Sequence, residues 1–185
     1  MTIIVFSIQL ISQKVSEEDF PALYFYSYNY DVLGSIEIEN PSFEGDSVRG
    51  EKDAMDIDGW FDCGRIKFKR ESPPDIHSGY EEFWGVTHIA HHGDTYIGMV
   101  ARDNDSWESV SQKLTTKIQK NECYMMSAHM SQAKEYINGS RRSGRLVDYS
   151  EPIVLRIFGG NSFCNFYDLL FESEVIDSDL SLIHI

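Results

Sequence analysis

The densest run of side chains able to hold a metal or move a proton is His88-Ile89-Ala90-His91-His92-Gly93-Asp94. Neutral imidazoles bind zinc, and three histidines beside a carboxylate supply the donors of a catalytic centre with one open position. The spacing works against convergence. On a strand, His88 and His92 share one face while His91 points to the other. The cluster is therefore read as a hairpin tip, with no metal ligand and no cofactor assigned. A metal-dependent enzyme using His88, His91 or His92 is kept as an alternative.

Nucleophilic chemistry has less support. Cys123 precedes His129 by six residues, which puts the two on different parts of a helix surface. The three cysteines, Cys63, Cys123 and Cys164, are odd in number, far apart and without CxxC spacing. That pattern suggests buried free thiols in place of a disulfide framework or a zinc ribbon. Gly159-Gly160-Asn161-Ser162 lacks the GxxxxGK[ST] and GxGxxG patterns that cradle phosphate and reads as a turn. Arg141, Arg142 and Arg145 stand in a Gly/Ser loop and read as exposed cations that balance charge locally.

The carboxylates carry the strongest signal. Glu37, Glu39, Glu44, Asp46, Glu51, Asp53, Asp56, Asp58 and Asp62 are followed or interleaved by Trp60 and Phe61. No Glu stands in the twelfth place that a calcium loop requires. Acids with aromatic neighbours instead suit recognition of a basic partner, because aromatic anchors dominate interface energetics. The whole chain has a formal net charge of −14. Residues 1–62 hold 13 acids and 3 bases, residues 63–145 hold 10 and 12, and residues 146–185 hold 7 and 1. Such a balance excludes direct nucleic-acid binding, which needs Lys and Arg to neutralise phosphates.

The elements that must position these residues follow from periodicity. At 185 residues, with 42% hydrophobic and 13% aromatic residues, one folded domain over 1–185 is expected. The apolar start reads as a buried strand, because it lacks a basic n-region and a cleavage site. Ser16–Phe20 reads as a short capped helix. Residues 23–30 and 35–39 read as a hairpin that buries Ile36 and Ile38 and turns Glu37 and Glu39 outward. Residues 40–62 read as a long exposed loop. Ile66–Lys69 reads as a strand whose lysines face Glu37 and Glu39, and 83–91 with 95–102 as a second hairpin.

Trp107, Val110, Leu114 and Ile118 recur at intervals of 3 and 4, after Asp105 as cap, and predict a helix. Met126, Met130, Ala133 and Ile137 predict a second, closed by Asn138-Gly139. Residues 153–158 and 163–167 read as a third hairpin. The expected fold is α+β, an antiparallel sheet of successive β-hairpins with two consecutive helices packed on one face. A mostly-β sandwich with a helical insertion is the alternative.

No apolar run reaches the roughly 20 residues a bilayer requires, so no membrane contact is expected and the default location is cytoplasmic. The leading expectation is a small acidic binding and inhibitory protein of the immunity type. Its partner is a basic protein such as a toxin nuclease, whose cationic cleft an acidic surface can occupy. A nucleic-acid mimic that blocks a DNA-processing or defence enzyme is the second alternative.

Overall fold

A computed structural model describes residues 3–10, 36–50, 55–118, 124, 126–177 and 181–184. The expected helix at 16–20 and the aromatic strand at 23–30 lie outside them. The β-branched run Ile3–Leu10 forms β1, the centre of a five-stranded antiparallel sheet. Its first half, Ile3–Phe6, pairs with β4 (Thr95–Val100), and its second half, Ser7–Leu10, pairs with β6 (Met126–Met130). Outside β4 lies β3 (Asp75–Ser78), and outside β6 lies β11 (Ser181–His184), which gives the order β11-β6-β1-β4-β3. Short antiparallel pairs complete the fold. These are β2 (Phe61–Asp62) with β5 (Val110–Ser111), β7 (Ile137–Gly139) with β8 (Leu146–Asp148), and β9 (Arg156–Gly159) with β10 (Asp168–Glu172).

Every residue of β4 is buried, and its alternation feeds two clusters. Ile97 and Met99 join Phe43, Ile57, Ile76 and Met130 on one side. Tyr96 and Val100 join Val86, Ala133, Tyr136 and Tyr149 on the other.

This architecture overturns the expected α+β fold. The described residues are mostly short antiparallel strands, and their only helical pieces are a four-residue turn, α1 (Gly64–Lys67), and a 3-10 turn at Phe83–Gly85. The two consecutive helices are absent, as is the helical insertion of the alternative. In place of the first, Asp105 takes a left-handed φ of 61°, and the Arg102 N–H donates to the Ser106 carbonyl. A helix N-cap needs extended backbone, which a left-handed Asp105 does not have, and the turn instead sends the chain back so that Trp107 bridges Ala101. In place of the second, Met126–Met130 is a strand hydrogen-bonded on both sides, and Ile137–Gly139 is another.

Other expectations shift less. Ile66–Lys69 is not a strand, since α1 and a turn occupy it. β4 pairs with β3 and not with 83–91, because Trp84 and Gly85 have φ of 58° and 86° and cannot continue a strand. The third hairpin exists as β9–β10, with its second strand starting at Asp168. No helix among the described residues is long and apolar enough to cross a membrane.

Candidate functional site

The histidine cluster does not converge. His88 Nε2–H donates to the Gln132 carbonyl at 3.0 Å, and His92 Nδ1 lies 2.9 Å from the Ser42 hydroxyl. His91 stacks on His129 with ring centroids 3.5 Å apart. Three imidazoles thus take three separate partners. Among the described residues no group of three or more His, Cys, Asp or Glu is arranged to hold a metal. The arginine loop is also committed: Arg141 lies 3.4 Å from Glu71, and Arg142 lies 3.6 Å from Asp105.

Buried charge gathers elsewhere. The Arg102 guanidinium pairs with Glu108 and lies 3.6 Å from Glu71, while the second Glu108 oxygen accepts the Val100 N–H at 3.1 Å. Burial works against the Arg102 charge, yet Glu108 and Glu71 more than offset it and raise its pKa. Burial pushes the Glu108 carboxyl up, with Arg102 pulling against it. Asp75 accepts hydrogen bonds from Gly50 N–H at 2.7 Å and from the Trp84 indole, and burial raises it to about 6. These groups are sealed inside and hold β3, β4 and the 102–108 turn together. No signal in the sequence linked them.

The acidic stretch divides into structural and free carboxylates. Glu44 belongs to the first kind: its Oε2 accepts the Asp94 N–H, and its backbone exchanges hydrogen bonds with the Asn40 side chain. Asp62 is another, half-buried and accepting the Gly64 N–H at 2.9 Å. Burial raises its pKa, against the hydrogen bonds from Arg65 and Gly64 that lower it. Glu37, Glu39, Asp46, Asp56 and Asp58 are exposed. Glu51 and Asp53 lie outside the described residues. The strand expected at 35–39 does not form over the described residues 36–39, although Ile36 is buried, Ile38 half-buried, and Glu37 and Glu39 exposed. The lysine face expected opposite it does not form, because Lys67 Nζ sits 4.2 Å over the Trp107 ring.

The aromatic neighbours separate in the same way. Trp60 is half-buried, its ring 4.5 Å from Phe43 and its indole N–H donating to the Asn40 carbonyl at 2.9 Å. Phe61 is 50% exposed and stacks on Phe163, itself 48% exposed, with centroids 5.1 Å apart. Sequence reasoning missed Phe163, which it placed inside a strand. What brings the rings together is a disulfide. Cys63 and Cys164, expected as free thiols, are bridged across 101 residues of sequence. The bridge ties the end of β2 to the loop between β9 and β10, where Cys164 has φ of 59°. The Ser111 hydroxyl on β5 supports it by accepting the Cys164 N–H at 3.3 Å.

A groove opens beside this pair, lined by Glu39, Gly59, Trp60, Phe61, Lys113 and Phe163. Gln112 ties two of the lining residues together. Its Oε1 accepts the Glu39 N–H at 2.9 Å, and its Nε2 donates to the carbonyls of Glu39 and Gly59 at 2.7 and 3.1 Å. Gly59 has φ of 82°, and a Cβ there would lie 2.8 Å from Glu39 Cγ, so only glycine fits. Among the described residues the Glu39 carboxylate has no ion-pair partner, although Lys113 shares the rim.

No known family matches this chain, and no curated protein or solved structure is similar to it. Function therefore has to be argued from geometry and charge. A sealed ion-pair network suits stability, and three diverging imidazoles suit no single reaction. To these is added the groove in which Phe61 and Phe163 are exposed next to Glu39.

Proposed function

We propose that this chain is a small acidic binding protein that docks a basic protein at the groove lined by Glu39, Phe61 and Phe163, with the exposed carboxylates of Glu37, Asp56 and Asp58 adding to its negative charge. The observation that carries the reading is the exposed Phe61–Phe163 stack beside the unpaired Glu39 carboxylate. Large aromatic side chains left half in water are costly unless they serve contact, and interface hot spots favour aromatic anchors ringed by polar groups. A net charge of −14 steers a cationic partner toward the surface. An immunity-type inhibitor of a toxin nuclease is the concrete form, since a nuclease must expose a cationic cleft and an acidic protein can fill it.

The compartment enters through the bridge. In the cytoplasm expected from the sequence, glutathione and thioredoxin would keep Cys63 and Cys164 reduced. The proposed setting for the complex is accordingly an oxidising compartment.

The test is capture from the native source at low and at physiological salt, followed by titration of the purified partner. The reading expects a basic protein bound with defined stoichiometry, more weakly as salt rises. It also expects binding to collapse in the variant Glu37→Ser/Glu39→Ser/Asp56→Ser/Asp58→Ser. An acidic partner, or a partner held equally well by that variant, refutes it.

A further inference from the structure

Resting on the reading above, we infer that the groove between Glu39 and the Phe61–Phe163 pair is a receptor for one arginine side chain presented by the basic partner. Three features select that occupant. First, the walls are aromatic: Trp60, Phe61 and Phe163 offer ring faces and edges to a flat group. A guanidinium is planar and weakly hydrated, so it stacks on such rings where a compact ammonium does not. Second, Glu39 stands on the rim with its carboxylate unpaired, and a guanidinium can meet a carboxylate with two parallel N–H donors. Third, the groove is fixed before anything binds. Gln112 joins Glu39 to Gly59, and the Cys63–Cys164 bridge pins Phe163 against Phe61. Fixing the walls in advance lowers the ordering cost of association.

Lys113 decides the sign. It lines the same groove, so it repels a cationic occupant and attracts an anionic one. Removing it must strengthen arginine binding, whereas removing the Glu39 charge must weaken it. The chain's net charge of −14 favours the cation in the same direction.

The experiment titrates acetyl-Gly-Arg-Gly-amide and acetyl-Gly-Glu-Gly-amide into isotope-labelled, disulfide-intact protein at low ionic strength. The signals followed are the Trp60 indole, the Gln112 side-chain amide and the Gly59 amide. The arginine peptide should shift all three. Its affinity should fall about threefold or more in Glu39→Gln and in Phe163→Ala, and rise about threefold in Lys113→Ala, the scale of a single exposed charge pair. Preferential shifts by the glutamate peptide overturn the inference, as does arginine binding that Glu39→Gln and Lys113→Ala leave unchanged. The docking reading is tested separately by the purified basic partner. If that partner binds through the acids while the arginine peptide leaves the groove signals still, the groove inference falls and the docking reading stands. If the peptide binds as described and no basic protein does, the reverse holds.

Discussion

Asp75 and His77 project from one face of β3, two residues apart, and burial moves their protonation in opposite directions. His77 is fully buried and stacks on Tyr96 with centroids 5.1 Å apart. Among the described residues neither of its ring nitrogens has a hydrogen-bond partner. Burial, helped by His88, lowers its pKa from 6.5 to about 4, so its contribution is present above pH 6.5 and is lost as pH falls through 4. Asp75 is raised from 3.8 to about 6, so its contribution is present below pH 3.8 and is lost as pH rises through 6.

Between pH 6 and 4 these two slopes oppose each other, each on the order of 3 kcal/mol in total. Relative to wild type, His77→Phe should therefore gain stability as the solution is acidified across that window. Asp75→Asn should lose it. Thermal midpoints taken at half-unit steps from pH 4 to 7 read both differences. Parallel profiles for wild type and the two variants would show that neither group titrates differently on folding.

Cys63 and Cys164 set a second expectation. Unfolded without reductant, the chain should react with a thiol reagent once, through Cys123, although three cysteines are present. The bridge closes a loop of 101 residues, and removing such a constraint costs roughly 4–5 kcal/mol in the chain-entropy description. Cys63→Ser/Cys164→Ser should show that loss as a lower urea midpoint. Three reactive thiols in the oxidised protein would rule the bridge out.

Arg102 and Glu108 yield a third. Both side chains are nearly sealed, at 8% and 2% exposure, so breaking the pair leaves one charge without compensation. Arg102→Met alone should cost roughly 3–5 kcal/mol, and so should Glu108→Gln alone. Combined, they remove both charges while the glutamine oxygen can still accept the Val100 N–H. The double variant should then lose much less stability than the sum of the two single losses. Additive losses in a double-mutant cycle would mean that the two groups act independently.

The strand at β4 and the existence of the β9–β10 hairpin were legible from their apolar and β-branched runs. Alternation around Ile36 was not enough, since 36–39 form no strand although Ile36 is buried and Glu37 exposed. The helices failed for a reason that lies outside their own segments. Trp107, Val110, Leu114 and Ile118 do recur at helical intervals, yet Glu108 between them must reach Arg102 and Val100, and only a tight turn at Asp105 delivers it there. Tertiary demand overrode propensity. Met126, Ala128 and Met130 also fit a period of two, and hydrogen bonding to β1 and β11 on either side decides in favour of the strand. Phe163 escaped notice because cysteine spacing cannot reveal connectivity. Its place beside Cys164 was the available signal.

Gln112 supplies the last expectation, because it joins Glu39 to Gly59 with three hydrogen bonds at the surface. Bonds in partly exposed positions contribute about 0.5–1.5 kcal/mol each at most, and water can replace some of them. Gln112→Ala should thus lower global stability by only about 1–2 kcal/mol. Its larger effect should be local. Freed from Oε1, the Glu39 amide should exchange its hydrogen at least tenfold faster, while the amides of β4 keep their protection. If Gln112→Ala instead left Glu39 exchange unchanged, Gln112 would have no part in presenting the carboxylate.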